Sequence, residues 1–227
     1  MLCCSSGLSI NMYNFLKRIY HKLFRVYSLS SLLSKEIEDE WRILDIGCGR
    51  SSPLEDVEKG AYKVGLDIYK PYILKSLKLS IHDNYVLGDA RALQFKSKSF
   101  DCVMATEVLE HLDKHDGEKM IKEMERVAKK KILMTTPNCF LPTYAGPDDN
   151  PEETHLCGYT AAELKKLGFK VYGLHGLKAL WKVDSGQAVI RFKPRKVFAR
   201  LAEITELLVY HHPSLAFQFF LIKDIGE

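Results

Sequence analysis

Short apolar runs alternate with longer amphipathic segments along the chain, a pattern typical of a mostly parallel sheet with helices on both faces. The apolar runs predict strands over 42–46, 62–67, 85–87, 100–105, 132–136, 169–174 and 215–222. Helical spacing of apolar residues predicts helices over 16–27, 118–130, 160–167 and 194–210, and one that begins at Pro71. The alternation therefore predicts an α/β fold.

A glycine turn follows the first predicted strand. Gly47 and Gly49 let the backbone turn sharply and approach a ligand. Residues 52–55 have the pattern of a helix start, with a capping box and a proline in the first turn. We expect free backbone N–H groups at this turn, which suit a carboxylate or a phosphate. The Asp45 carboxylate would repel a pyrophosphate. It suits a ligand with an ammonium and a sulfonium, so it favours S-adenosylmethionine (SAM) over a nicotinamide dinucleotide.

The segment Leu44-Asp45-Ile46-Gly47-Cys48-Gly49 resembles the first motif of the class I SAM-dependent methyltransferases. One position departs from that motif, because Ser51 stands where a glycine is usual. Gly88-Asp89-Ala90 resembles the adenine-binding motif of the same family, and residues 107–111 resemble the Glu-x-Leu-Glu-His signature of its type 11 branch. The motifs cover residues 41–174, and beyond them only the order of the elements matches.

The resemblance implies a Rossmann-like three-layer αβα sandwich. Its sheet would have seven mostly parallel strands in the order 3-2-1-4-5-7-6, with the last strand antiparallel. We expect an N-terminal helical segment over 1–36 and a methyltransferase domain over 37–227. Within that domain, 140–158 and 175–194 are longer than a minimal fold needs, so we interpret them as insertions that build the acceptor site.

The resemblance also assigns residues to the cofactor, which would leave as S-adenosylhomocysteine (SAH). Asp67 ends the second strand, where Rossmann-like units place the acid that accepts hydrogen bonds from ribose hydroxyls. The alternative to a ribose role for Asp67 is that it only caps the next helix from the end of the strand. The alternative to an adenine role for Asp89 is that it lies in an ordinary surface turn. The residues assigned to SAM are Asp45, Gly47, Cys48, Gly49, Asp67, Ile68, Asp89, Ala90, Thr106 and Glu107.

Two histidines are candidates for a general base, because imidazole titrates near neutral pH. His111 follows the fourth strand, and His155 lies in the long loop after the fifth. The alternative for His111 is that its ring only packs or forms structural hydrogen bonds. The alternative for His155 is that it is a solvated side chain of the loop. The acids near His155, within 148–153, show no metal-ligand spacing. We therefore predict no metal.

Composition limits the remaining classes of function. The 227 residues are 46% hydrophobic and 27% charged, enough for one sizeable core. The net charge of +4 is mild and the basic residues are scattered, so we expect no nucleic-acid partner. The six cysteines form no Cys-x-x-Cys pair, which favours reduced thiols in a cytoplasmic protein. No apolar run is long enough to span a bilayer, and the N-terminus does not resemble a secretory signal.

The predicted helix over 16–27 is basic and amphipathic. Three interpretations stay open: a helix packed on the domain, a lid over the site, or a contact with an anionic membrane surface. For the whole chain, we expect a SAM-dependent methyltransferase that acts on a small-molecule acceptor, at an oxygen. The alternatives are an RNA or protein methyltransferase of the same fold and a non-catalytic SAM-binding protein. The sequence assigns neither the acceptor nor the oligomeric state.

Overall fold

Residues 27–143, 150–184 and 187–226 are described by a computed structural model. Their strands are β1 Arg42–Ile46, β2 Tyr62–Asp67, β3 Asn84–Leu87, β4 Phe100–Thr106, β5 Ala128–Pro137, β6 Lys170–Leu177, β7 Trp181–Asp184, β8 Gln187–Ile190 and β9 Ala216–Asp224. Their α-helices are α1 Leu29–Glu36, α2 Lys70–Ser76, α3 Lys114–Val127, α4 Ala161–Lys166, α5 Arg195–Ile204 and α6 Glu206–His211.

Seven of these strands form one sheet in the order β3-β2-β1-β4-β5-β9-β6. Strands β1 to β5 pair in parallel, and β9 lies antiparallel between β5 and β6. The predicted Rossmann-like topology is therefore confirmed, with the last strand inserted beside the fifth. Because the first five strands are parallel, the loops after β1, β2, β3 and β4 all leave the same edge of the sheet.

The core covers both faces of the sheet, as expected for buried parallel strands. Successive side chains of β1 point to opposite faces: Leu44 and Ile46 belong to one buried cluster and Ile43 belongs to the other. Residues of α3 and α4 pack in the first cluster, and residues of α1 pack in the second. Of the cysteines in the described residues, Cys48 and Cys102 are buried free thiols, as the sequence predicts.

The helix predicted after the glycine turn is wrong. Residues Pro53–Asp56 form a single 3-10 turn, with the Ser52 side chain accepting a hydrogen bond from the Leu54 N–H group. The connection from β1 to β2 turns back at Gly60, whose φ is +95°. A side chain at Gly60 would meet Ile43, with a Cβ only 2.4 Å from its Cδ1 atom. The 3-10 turn ends at Val57, whose backbone is extended and whose side chain is buried in the core, so the chain leaves the helical conformation after one turn.

Two predicted helix boundaries are also corrected. The helix predicted over 118–130 spans Lys114–Val127, and Lys129 and Lys130 lie in β5, because the backbone is already extended at Ala128. The helix predicted over 194–210 divides at Thr205 into α5 and α6. The Thr205 hydroxyl donates to the Ala202 carbonyl at 2.9 Å, so its side chain competes with the helical ladder.

The predicted insertion at 175–194 contains the antiparallel hairpin of β7 and β8. The proposed N-terminal helix at 16–27 lies outside the described residues except for Tyr27. Within 27–143, 150–184 and 187–226, no helix is long and apolar enough to cross a membrane.

Strand β6 contains an irregularity that a half-buried acid stabilises. Its pairing with β9 shifts register between Leu174 and Leu177, and both His175 and Gly176 have positive φ. The Glu206 carboxylate accepts hydrogen bonds from the N–H groups of His175 at 2.9 Å and Gly176 at 2.6 Å. Burial nevertheless raises the pKa of Glu206 from 4.5 to about 7. Ionisation of Glu206 is therefore harder in the folded state than in the unfolded state.

This pKa shift makes stability depend on pH in a defined direction. Between pH 4.5 and about 7 the folded state binds more protons at Glu206 than the unfolded state does, so the free energy of unfolding falls as pH rises. We expect Glu206→Gln to remove this contribution. The free energy of unfolding of the variant, relative to that of wild type, should therefore increase from pH 5 to pH 8. Urea denaturation at each pH measures this difference, with Glu38→Gln as the control for loss of one exposed negative charge. A constant difference between Glu206→Gln and wild type would contradict the prediction.

Candidate functional site

A cavity of about 380 Å³ lies at the carboxyl ends of the first four parallel strands. This is the edge where open α/β sheets bind ligands. Nine of the residues predicted from the sequence line it: Gly47, Gly49, Asp67, Ile68, Asp89, Ala90, Thr106, Glu107 and His111. Three other predicted site residues, Asp45, Cys48 and His155, do not line the cavity.

The backbone N–H groups of the glycine turn are occupied within the protein. The N–H groups of Gly47 and Cys48 both donate to the Leu66 carbonyl, at 2.7 and 3.0 Å. The Gly49 N–H group donates to Asp67 Oδ2 at 2.9 Å. The expectation that these groups are free for a ligand is therefore wrong, because the turn uses them to join the ends of β1 and β2.

The two glycines of the turn are needed for different reasons. Both have positive φ, +66° at Gly47 and +58° at Gly49, a region that disfavours side chains. A Cβ at Gly47 would lie 2.4 Å from Val108 Cγ2, whereas at Gly49 the nearest atom would be 3.8 Å away. Gly47 thus allows the segment after β4 to pack on the turn, and Gly49 leaves open space at the cavity.

Asp45 lies beneath the turn and is fully buried. Its Oδ2 atom accepts a hydrogen bond from the Ser52 hydroxyl at 2.6 Å and lies 2.9 Å from His82 Nε2. This network joins the end of β1 to the 3-10 turn and to the segment before β3. Cys48 is also buried and packs against Gly65, and burial raises the pKa of its thiol. In this structure both residues support the cavity from behind.

Asp67 lines the cavity, and its carboxylate is held in one orientation by two backbone hydrogen bonds. One carboxylate oxygen accepts from the Gly49 N–H group, and the other accepts from the Tyr69 N–H group at 2.8 Å. Burial raises the pKa of Asp67, and the two backbone N–H groups offset part of that rise. Since a carboxylate offers about four lone-pair positions, Asp67 can still accept hydrogen bonds from a ligand.

Asp89 is held by an arginine that the sequence analysis does not identify. The Arg91 guanidinium binds the Asp89 carboxylate through Nε and one terminal nitrogen, at 2.7 to 3.0 Å. It also reaches Asp116 on α3, at 2.8 Å. The hydrogen bonds from Arg91 lower the pKa of Asp89, so this acid stays ionised and in a fixed orientation at the cavity wall.

Glu107 faces the cavity from a strained backbone position. Its φ is +55°, unusual for a residue with a side chain. Thr135 holds it in place, since the Thr135 hydroxyl donates to Glu107 Oε1 at 2.9 Å and the Glu107 N–H group donates to the Thr135 carbonyl at 3.2 Å. The neighbouring Glu110 is buried, and its Oε2 atom accepts from the Thr136 hydroxyl at 3.1 Å. Burial raises the pKa of Glu110, and the charge of Glu107 raises it further.

The two candidate histidines lie side by side. Their ring centroids are 4.7 Å apart in an edge-to-face arrangement. His111 lines the cavity, whereas His155 does not. Burial lowers the pKa of both imidazoles, and the neighbouring His111 lowers that of His155 further. Both rings are therefore neutral near pH 7.

The loop after β5 contributes to the cavity, as expected from its position. Of its described residues, Asn150, Glu152 and Glu153 line the cavity. The Tyr72 hydroxyl donates to Glu153, and the Arg50 guanidinium lies 3.9 Å from the same carboxylate. Arg50 also lies over the Tyr72 ring, 5.2 Å from its centroid. These contacts tie the loop to the segments after β1 and β2.

Several residues of the site are missing from the sequence-based assignment: Arg50, Tyr72, His82, Arg91, Glu110 and Asn150. Arg91 directly follows the segment that resembles the adenine-binding motif, and Glu110 belongs to the Glu-x-Leu-Glu-His signature, so a local pattern in the sequence marks both. Tyr72, His82 and Asn150 reach the site only through tertiary packing, and no local pattern marks them.

Comparison with known sequences identifies a domain in the middle of the chain. Residues 44–133 match the family described as "Methyltransferase domain". The uncharacterized protein MJ1252 of Methanocaldococcus jannaschii is 31% identical over 121 residues. That match covers 52% of this chain and 46% of the archaeal protein, so the chain spans less than half of that relative's length.

Comparison with solved structures supports the same fold over most of the chain. A SAM-dependent methyltransferase from Archaeoglobus fulgidus is 19% identical, with a TM-score of 0.55 over 92% of this chain and 99% of that one. The [4+2]-cyclase SpnF is also 19% identical, with a TM-score of 0.53 over 88% of this chain and 82% of that one. The fold that the motifs imply is thereby confirmed, since it is the fold of the class I SAM-dependent methyltransferases.

Proposed function

Because residues 44–133 of this chain form a type 11 methyltransferase domain within the class I methyltransferase fold, we propose that the protein transfers a methyl group from SAM to a small-molecule acceptor, at an oxygen. The observation that carries this proposal is the convergence of Asp67, Asp89 and Glu107 on one cavity. Asp67 ends β2, and Asp89 and Glu107 lie in the loops that follow β3 and β4.

Different residues of the cavity wall suit the ribose, the adenine and the sulfonium of SAM. Asp67 accepts hydrogen bonds from the ribose hydroxyls, and its orientation is preset by the Gly49 and Tyr69 N–H groups. Asp89 accepts from the adenine amine, while the Ala90 segment lies along the base. The open space at Gly49 admits the ligand close to the turn. Thr106 and Glu107 then lie near the sulfonium, where a negative charge favours binding.

The sequence analysis assigns Asp45 to direct contact with SAM, but in this proposal Asp45 acts from beneath the glycine turn. Its carboxylate is bound to Ser52 and His82 beneath the turn, so it acts on the cofactor through the position and charge of the turn. Cys48 contributes packing under the same turn. The cofactor residues that touch the ligand directly are therefore those that line the cavity.

The acceptor side of the cavity supports a small molecule. The loop residue Glu153 is fastened to Tyr72 and lies near Arg50, which narrows the approach to the cavity. Glu107 and His111 face the space next to the expected methyl position, and both are groups that hold or accept protons. Methyl transfer is an in-line displacement, so orientation of the acceptor contributes much of the rate.

The test of this function is transfer of a labelled methyl group. The purified protein is incubated with methyl-labelled SAM and with separate metabolite, RNA and protein fractions of a cell extract. We expect label in low-molecular-mass products of the metabolite fraction, and none when Asp67→Ala replaces the wild-type protein. Label in RNA or protein would contradict the small-molecule acceptor. Absence of label from all three fractions would favour a different reaction on the same fold, as the cyclase neighbour illustrates.

A further inference from the structure

We infer that Glu110, His111 and His155 form a binding site for a divalent first-row transition-metal ion beside the cavity. Each residue offers one ligand atom, and these atoms all lie within 4.8 Å of one another. Glu110 and His111 come from the 3-10 turn Leu109–His111, and His155 comes from the loop that follows Pro151–Glu153. The structure brings together residues whose separation in the sequence shows no metal-ligand spacing.

Both histidines have the hydrogen bonds that prepare a ring for metal binding. His111 Nδ1 lies 3.3 Å from the Thr154 carbonyl, and His155 Nδ1 lies 2.7 Å from the Leu141 carbonyl. Because a carbonyl only accepts, Nδ1 is the protonated nitrogen of each neutral ring. Nε2 therefore carries the free lone pair in both. Metal-binding histidines are usually oriented in this way by a hydrogen bond from the other nitrogen.

Glu110 supplies a second, independent observation, because one of its buried oxygens has no hydrogen-bond partner among the described residues. Its side chain is 1% exposed, and its Oε2 atom accepts from the Thr136 hydroxyl. Its Oε1 atom is buried and has no hydrogen-bond partner among the described residues. A buried acceptor left without a partner costs about 1–3 kcal/mol. A cation bound by this oxygen and the two histidines would remove that cost.

The ligand set selects the class of metal. Two imidazoles and one carboxylate suit Mn²⁺, Fe²⁺, Co²⁺, Ni²⁺ or Zn²⁺, whereas Ca²⁺ and Mg²⁺ prefer sites made of oxygen atoms. Three protein ligands leave at least one coordination position open. His111 and Glu107 line the cavity, so an open position can face it.

This location gives the metal a part in the reaction, an argument that rests on the proposed function. A coordinated acceptor hydroxyl has a lowered pKa, and its proton passes to Glu107 at the cavity wall. The acceptor oxygen then forms a bond to the methyl carbon as the S–CH₃ bond breaks. The electron pair of that bond stays on sulfur, which becomes the neutral thioether of SAH. His155 then serves as a metal ligand in place of the general base suggested by its sequence position.

The test measures binding of Co²⁺ alone, without SAM or acceptor. The metal-free full-length protein is titrated with Co²⁺ and followed by its visible absorption bands and by calorimetry. We expect saturable binding of one ion, displaced by Zn²⁺, with at least tenfold weaker binding in Glu110→Gln and in His155→Ala. His115→Ala and Glu118→Gln are the matched controls, since they remove an exposed histidine and an exposed acid of α3, and they keep wild-type Co²⁺ affinity.

Titration of the same variants with SAH separates this proposal from the proposed function. Glu110→Gln and His155→Ala retain SAH binding if only the metal site is lost, and this also shows that they are folded. Failure of wild-type protein to bind Co²⁺ would overturn the metal site, whatever the SAH result. Equal Co²⁺ affinity in wild type, Glu110→Gln and His155→Ala would overturn it as well.

Discussion

Asp67→Ala is expected to weaken SAH binding by at least about 100-fold. The substitution removes the carboxylate placed for the two ribose hydroxyls, and hydrogen bonds to a charged group contribute about 1.5–3 kcal/mol each. It also leaves the Gly49 and Tyr69 N–H groups without their acceptor, which loosens the turn around the ligand. Calorimetric titration with SAH measures the loss.

Asp83→Ala is the matched control for Asp67→Ala. Asp83 also accepts a backbone hydrogen bond, from the Lys63 N–H group at 2.7 Å, but at the amino end of β2, the opposite end from Asp67. We expect its SAH affinity to equal that of wild type. Circular dichroism at the titration temperature establishes that both variants are folded. Similar SAH affinities in Asp67→Ala and Asp83→Ala would show that the ribose assignment is wrong.

Gly47→Ala is expected to lower the free energy of unfolding by about 2–4 kcal/mol. A side chain at positive φ costs about 1–2 kcal/mol, and overlap in a packed region costs about 1–3 kcal/mol more. The new methyl group would lie 2.4 Å from Val108 Cγ2. Gly49→Ala has the same backbone strain but open space, so we expect only about 1–2 kcal/mol there. Urea denaturation measures both.

A double variant isolates the steric part of the Gly47 effect. Val108→Ala removes the methyl group that the new Cβ would meet. In that background we expect the cost of Gly47→Ala to fall to that of Gly49→Ala. If the cost of Gly47→Ala were unchanged, contact with Val108 would not be the reason that this position requires glycine.

The strands and their order could be predicted because their signals are local. Residues 42–46 form a short apolar run between polar flanks, and residues 62–67 end in an acid at the edge of the sheet. Both strands begin and end where the pattern places them. The order of the seven strands came from the family resemblance, because strand pairing depends on contacts that no local pattern contains.

The errors occur where packing overrides local propensity. Residues 52–55 carry good helix-start signals, yet the backbone is extended at Val57, whose side chain is buried in the core, so only one 3-10 turn forms. Lys129 to Lys131 look like a helix end, but pairing with β4 begins at Ala128 and draws them into β5. Local preference is a weak constraint when a buried strand must pair.

The site was predictable in part for the same reason. Asp67 is the last residue of β2, and Asp89 lies two residues beyond the end of β3, so their positions on the cavity follow from the topology. The burial of Asp45 beneath the turn depends on Ser52 and His82, and His82 arrives from a distant segment. The meeting of His111 with His155 likewise depends on how the long loop folds back against the turn after β4.

The central claim is that the cavity at the carboxyl ends of the strands binds SAM, and calorimetric titration of the wild-type protein with SAH tests it most directly. NAD serves as the control ligand, since a similar glycine turn also binds dinucleotides. Saturable binding of one SAH per chain, with no binding of NAD, is the predicted result. Absence of SAH binding by protein that is folded and free of bound ligand would contradict the claim.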